Sequence, residues 1–130
     1  MIIDASALVA IVLSEPEADR FTTAVSAATV RLMAAVNWLE TLVVVDSRKS
    51  ASGVTKAQGL RAELGIQILP ADEGQIRAAH EAWRRYGKGR HRARLNLGDC
   101  CAYAASVTLN EPLLFKGNDF SLTDVEVADW

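Results

Sequence analysis

MIIDASALVAIVLSEPE, residues 1–17, begins with an apolar run, interrupts it with one carboxylate at Asp4, and resumes apolar residues within three positions. Ile2, Ile3, Leu8 and Val9 bracket the aspartate, which places it at the edge of a core rather than on an open surface. The stretch reads as a short buried strand, MIID, running directly into a short helix, ASALVAIVLS (5–14). The same alternation continues along the chain. EPEADRFTTAVSAA (15–28) is a helix opened by Pro16 near its first turn, RLMA (31–34) a strand, and AVNWLETLVVVDSRKS (35–50) a helix by its length and its Ala35, Leu39, Leu42, Val43, Asp46 rhythm. VTKAQGLRAELG (54–65) continues helical, and IQIL (66–69) is a strand. ADEGQIRAAHEAWRRYG (71–87) is amphipathic, with Ile76, Ala79, Ala82 and Trp83 on one side. LGDCCAYAASVTLN (97–110) is a helix, PLLF (112–115) a strand, and VEVA (125–128) a final short strand. Strands alternating with helices imply right-handed crossovers, so the expected class is α/β: an α/β/α sandwich around a mainly parallel sheet of four to five strands.

The chain has 130 residues, 50% of them apolar and 23% charged, which is the composition of one globular domain spanning 1–130. Its longest uncharged stretches, ASALVAIVLS and CCAYAASVTLN, fall well short of the roughly 20 residues needed to cross a bilayer. Asp4, and not a basic cluster, precedes the first apolar region, so that region does not read as a secretory signal and a cytoplasmic protein is expected. The only cysteines, Cys100 and Cys101, are adjacent, which is neither a metal spacing nor a redox pair; they are expected as buried free thiols.

Four acids are candidates for chemistry. Ligands of open parallel sheets bind beyond the carboxyl ends of the strands, and Asp4 ends the first strand while Asp119, in KGNDF, follows PLLF by four residues. Glu40 shares a helical face with Val36, Val43 and Val44, and Asp99 opens a helix whose same-face neighbours are Ala102 and Tyr103. Ordinary roles are open to three of them: Asp4 as a helix cap, Asp99 in a first turn behind Asn96, Asp119 in a turn. Glu40 resists such a role, because an unpaired glutamate on an apolar face costs on the order of several kcal/mol unless it is protonated or bound to a cation. Gathered at one sheet edge, four carboxylates would either take up protons or hold a divalent ion, and oxygen-only ligands favour Mg2+ or Mn2+ over zinc. Such an ion suits a phosphodiester substrate.

The formal net charge is only −2, but it is segregated. RRYGKGRHRAR (84–94) holds six of the fourteen Lys and Arg and no acid, leaving eight basic against sixteen acidic groups elsewhere. Arg84, Arg85 and Lys88 could be ordinary charges at a helix C-terminus. Arg90, His91, Arg92 and Arg94 follow two glycines in a loop leading to Asp99, a placement suited to phosphate contact. His91 is not positioned by any motif as a general base.

Four stretches together, MIIDASAL, NWLE, GKGRHRARLNLGDCCAYAAS and PLLFKGNDF, resemble the PIN domain, in particular the VapC ribonuclease toxins of bacterial toxin–antitoxin pairs. The likeness spans nearly the whole chain, and GKGRH followed by LNLGDC is its most specific part. It implies that Asp4 and Asp99 hold Mg2+ or Mn2+, that Glu40 completes the acidic cluster, and that Ser6 supplies a hydroxyl beside the metal. Many relatives carry an acid two positions before Asp119; this chain has Gly117 there, so Asp119 is preferred as the fourth acid over Asp124. The resemblance further implies an RNA substrate met by Lys88, Arg90, His91, Arg92 and Arg94, a homodimer, and a VapB-like antitoxin whose tail crosses the acidic pocket. Two other readings stay open on the residues: a non-catalytic RNA-binding or adaptor module with the same fold, and a phospho-accepting receiver domain. The latter places its acids at strand ends, unlike Glu40 inside a helix.

Overall fold

The computed structural model describes residues 1–130. Strand β1 (Ile2–Ile3) leads through Asp4 into α1 (Ala5–Val12), followed by α2 (Ala18–Ala27), β2 (Leu32–Ala34), α3 (Ala35–Glu63), β3 (Gln67–Leu69), α4 (Glu73–Tyr86), α5 (Leu97–Leu109) and β4 (Leu113–Leu114). The four strands form one parallel sheet in the order β3-β2-β1-β4, with Ile2 opposite Leu32 on one side and Leu113 on the other.

Because side chains alternate across a strand, each strand feeds two cores. Ile3, Met33 and Leu114 face a cluster with α1, Phe21, Val25 and Val45, whereas Ile2, Ala34 and Leu113 face a second with α4, α5, Phe115 and Phe120. Helices on both faces of the sheet make this the expected α/β/α sandwich. Helix α1 is buried at every position but Ser6, which is why the stretch Ala7–Val12 carries no polar residue.

Three details differ from the sequence reading. VEVA forms no full strand: Val127 makes a single parallel bridge to Leu113, anchored where Leu113 N–H donates to Glu126 O at 2.8 Å. The helical stretches 35–50 and 54–65 meet at Ser50, whose backbone (φ 54°, ψ −156°) breaks the helical path and redirects α3. On α4, Ala79 and Ala82 are buried as expected, but Ile76 and Trp83 are 60% and 38% exposed, so that only the small residues of the apolar stripe are covered.

Candidate active site

Asp4 lies where β1 stops and α1 starts, and both facts follow from its carboxylate. Its Oδ2 accepts the Ser6 N–H at 2.9 Å, capping the helix, and the Ser6 hydroxyl at 2.5 Å. Its Oδ1 accepts the Asn37 side-chain amide at 2.9 Å. The Ser6 oxygen in turn accepts the Lys116 N–H at 3.0 Å, tying β1 to the loop after β4 that carries Asp119. Ser6 therefore spends its hydroxyl holding Asp4 and this loop. Asp4 is only 5% exposed, and burial raises its carboxyl above the usual range against the lowering effect of the Ser6 bonds, with the nearby Asp119 charge adding to the rise.

Glu40 projects from the first turns of α3 against Gly98, the second residue of α5: a Cβ there would fall 2.2 Å from Glu40 Oε2. Glycine is thus required for the close approach. Burial raises the Glu40 carboxyl, and the Asp4 charge raises it further.

Asp99 holds the third position of α5. Asn96 caps that helix by accepting the Asp99 N–H at 2.9 Å, while Asp99 Oδ2 accepts the Asn96 N–H at 2.7 Å, a reciprocal capping box. The ordinary structural roles foreseen for Asp4 and Asp99 are thus real, and they fix the two side chains in place. The Asp99 carboxyl is pushed up to about 6, first by burial, then by the charges of Asp4, Asp119 and Glu40, which outweigh its bond from Asn96. One carboxyl feeling the other three makes the four acids a single electrostatic unit. None of the four forms an ion pair. Asp124, the alternative fourth acid, is committed elsewhere: it accepts Arg85 at 2.8 Å and the Tyr103 hydroxyl at 2.5 Å, which hold its carboxyl below the usual range.

The basic loop reaches the same place. It is pinched at its base, where Lys88 N–H donates to Leu95 O and Leu95 N–H to Tyr86 O, each at 3.0 Å. Lys88, Arg92 and Arg94 line an open cleft of about 670 Å3 together with Asp99 and Asp119. Arg90 is drawn off over the Trp83 ring, 4.0 Å from its centroid, and His91 uses Nδ1 to accept the Ala93 N–H at 3.1 Å with its ring edge-on to Tyr86. Of the five residues expected to touch a polyanion, three face the cleft and two brace the loop.

The acids are neighbours, but no three of the His, Cys, Asp and Glu side chains are arranged to grip one ion as they stand. The donor set nevertheless fits a hard cation: it is all oxygen, it lacks any basic partner, and the Oδ1 of the fully buried Asn37 beside it has no hydrogen-bond partner. Asn37 escaped the sequence reading. Its position three residues before Glu40, on the same helical face, was the available signal.

Sheet order, acidic cluster and basic cleft together define a nuclease-like α/β domain, and the match of residues 1–126 to the PIN domain model agrees. Ribonuclease VapC of Mycolicibacterium smegmatis is 46% identical over 96% of this chain and 97% of its own. Ribonuclease VapC30 and Ribonuclease VapC36 of Mycobacterium tuberculosis are 43% and 41% identical, over 96% and 97% of this chain and 95% and 91% of theirs. Among solved structures, Mycobacterium tuberculosis VapC20, described as a Sarcin-Ricin loop cleaving toxin, superposes with a TM-score of 0.79 at 16% identity over 98% of both chains. A toxin-antitoxin complex from Klebsiella pneumoniae gives a TM-score of 0.71 at 17% identity, over 99% of this chain and 97% of that one. The chain belongs to the PIN domain family, among its VapC ribonucleases.

Proposed function

We propose that the ribonuclease activity of this family is exerted here in the cleft shared by the acidic cluster and the basic loop, on RNA phosphodiester bonds, with Mg2+ as the cofactor and Mn2+ able to replace it. The observation that carries this reading is that Asp99 and Asp119 line the same cleft as Lys88, Arg92 and Arg94. Basic side chains there would hold the RNA backbone across the carboxylates. Asp4, Glu40, Asp99 and Asp119 are the residues that would hold the metal, which supplies an activated water and charge neutralisation at phosphorus. Asp4 is fixed by Ser6 and Asn37, and Asp99 by its capping box, so these ligands arrive preorganised. Substituting Asp4→Asn keeps an acceptor for the Ser6 N–H cap while removing the charge. Loss of Mg2+-dependent RNA cleavage in a protein that still folds is the expected result, and undiminished cleavage would refute the assignment.

As a VapC ribonuclease the chain is the toxin member of a pair, and its protein partner is a VapB-like antitoxin. We further propose a homodimer. Val36, Ile76, Trp83, Leu97 and Cys101 line an apolar cavity of about 540 Å3, and Leu97 is 73% exposed, which offers an apolar surface to a second copy. Light scattering after size exclusion at micromolar concentration should give twice the chain mass; a clean monomer overturns the dimer. No helix is long and apolar enough to cross a membrane.

A further inference from the structure

We infer that Asn37 is the positioning residue of the acidic site, setting which oxygen of Asp4 is offered to the cation and locking the three elements that carry Asp4, Glu40 and Asp99 to one another. The inference rests on the metal-dependent reading above and adds a residue to it.

Asn37 is wholly buried in a helix whose other inward residues are Thr41, Val45, Gly53 and Ala57. Its side-chain nitrogen donates to Asp4 Oδ1 at 2.9 Å and to the carbonyl of Gly98 at 3.2 Å. Both partners are acceptors, so the group between them is the NH2 and the orientation of the amide is fixed. One carboxamide therefore spans the end of β1 and the first turn of α5, and it sits one turn from Glu40 on α3. Gly98, which accepts from it, is also the residue against which Glu40 rests.

The hydrogen bonds around Asp4 divide its two oxygens. Oδ2 accepts twice, from the N–H and the hydroxyl of Ser6, which fills its lone pairs. Oδ1 accepts once, from Asn37, and keeps one lone pair. Asp4 can thus bind a cation through Oδ1 alone, and the direction of that lone pair is set by Asn37. The buried Asn37 Oδ1 has no hydrogen-bond partner within the protein, so the amide is held from its nitrogen alone. Partners that orient a ligating carboxylate in this way contribute about 10- to 100-fold to metal affinity.

The test measures Mn2+ binding by titration calorimetry, RNA cleavage as kcat and KM, and thermal melting, for the wild type, Asn37→Leu and Asn37→Ala. Wild-type Mn2+ binding tests the metal reading by itself; its absence sinks that reading. Given wild-type binding, Mn2+ affinity and kcat reduced about 10- to 100-fold, with KM for RNA retained, are expected of whichever variant folds. A variant with lowered melting but wild-type Mn2+ affinity and kcat would show a purely structural role and overturn the inference. A wild-type crystal soaked in Mn2+ decides the matter without any variant: Asp4 is expected to bind through Oδ1 only, still bonded to Asn37. Bidentate binding, or an Asn37 amide turned away from Asp4, overturns it.

Discussion

Replacing Gly98 with alanine separates the geometry of the acidic site from the stability of the fold. Residue 98 is helical, and the added Cβ would lie 2.2 Å from Glu40 Oε2, 3.2 Å from Glu40 Cδ and 3.3 Å from Asn96 Oδ1. Non-bonded carbon contacts settle near about 3.5 Å, so the Glu40 carboxylate must withdraw by about 1 Å or more. It can do so, being the far end of a flexible side chain, at a rotamer cost of about 0.5–1.5 kcal/mol. Alanine in place of glycine within a helix returns about 0.5–1 kcal/mol, so the two effects nearly cancel. A displacement of this size at a reacting centre costs about 100-fold in rate. Cleavage of a labelled RNA at saturating Mn2+ should therefore slow about 100-fold while the melting temperature moves by only a few degrees. A wild-type rate in a protein of wild-type stability would refute the claim that the place of Glu40 against α5 matters. A collapse of the melting transition would refute the claim that Glu40 alone absorbs the change.

The raised carboxyl of Asp99 carries a sign that can be checked. Its folded value of about 6 lies above its ordinary 3.8, so its contribution to stability is fully present below about 3.8 and is lost as pH rises through about 6. Asp99→Asn keeps an oxygen for the Asn96 N–H and should melt above the wild type at pH 7.5 without metal, the gap closing at pH 4; an equal gap at both values contradicts the reasoning. In the basic loop, replacing Lys88, Arg92 or Arg94 by alanine should raise KM and flatten the dependence of log KM on log salt by about 0.7 for each phosphate that is no longer neutralised. Arg90→Ala should have a smaller effect on the salt slope, because its guanidinium lies over Trp83; equal slopes for all four variants would show that the loop binds RNA in another conformation.

How much of this was legible depended on whether the information was local. Asp4, Glu40 and Asp99 could be found because each is an acid set among apolar residues, where an unpaired charge is costly. The paired helical stretches around Ser50 left a gap in the pattern, and the structure bends there. Trp83 and Ile76 misled, since a helical stripe reports which side is apolar and not whether anything covers it. The division of the basic loop was also hidden: Arg90 and Arg92 are separated only by His91, yet Arg92 lines the cleft while Arg90 lies over Trp83. Asn37 was illegible for a third reason. A lone amide in a helix has many uses, and its meaning comes from Asp4 and Gly98, 33 and 61 residues away.

One of the two neighbours of β1 comes from a strand far along the chain. β1 pairs with β4 at Leu113 and Leu114, and Ser6 is tied to Lys116, only three residues before Asp119. A ribosome releasing this polypeptide from its N-terminus therefore exposes Asp4 and Glu40 long before the later carboxylates exist to join them. On the function proposed above, a partly synthesised chain holds an incomplete acidic cluster until β4 and the loop after it have emerged to join β1.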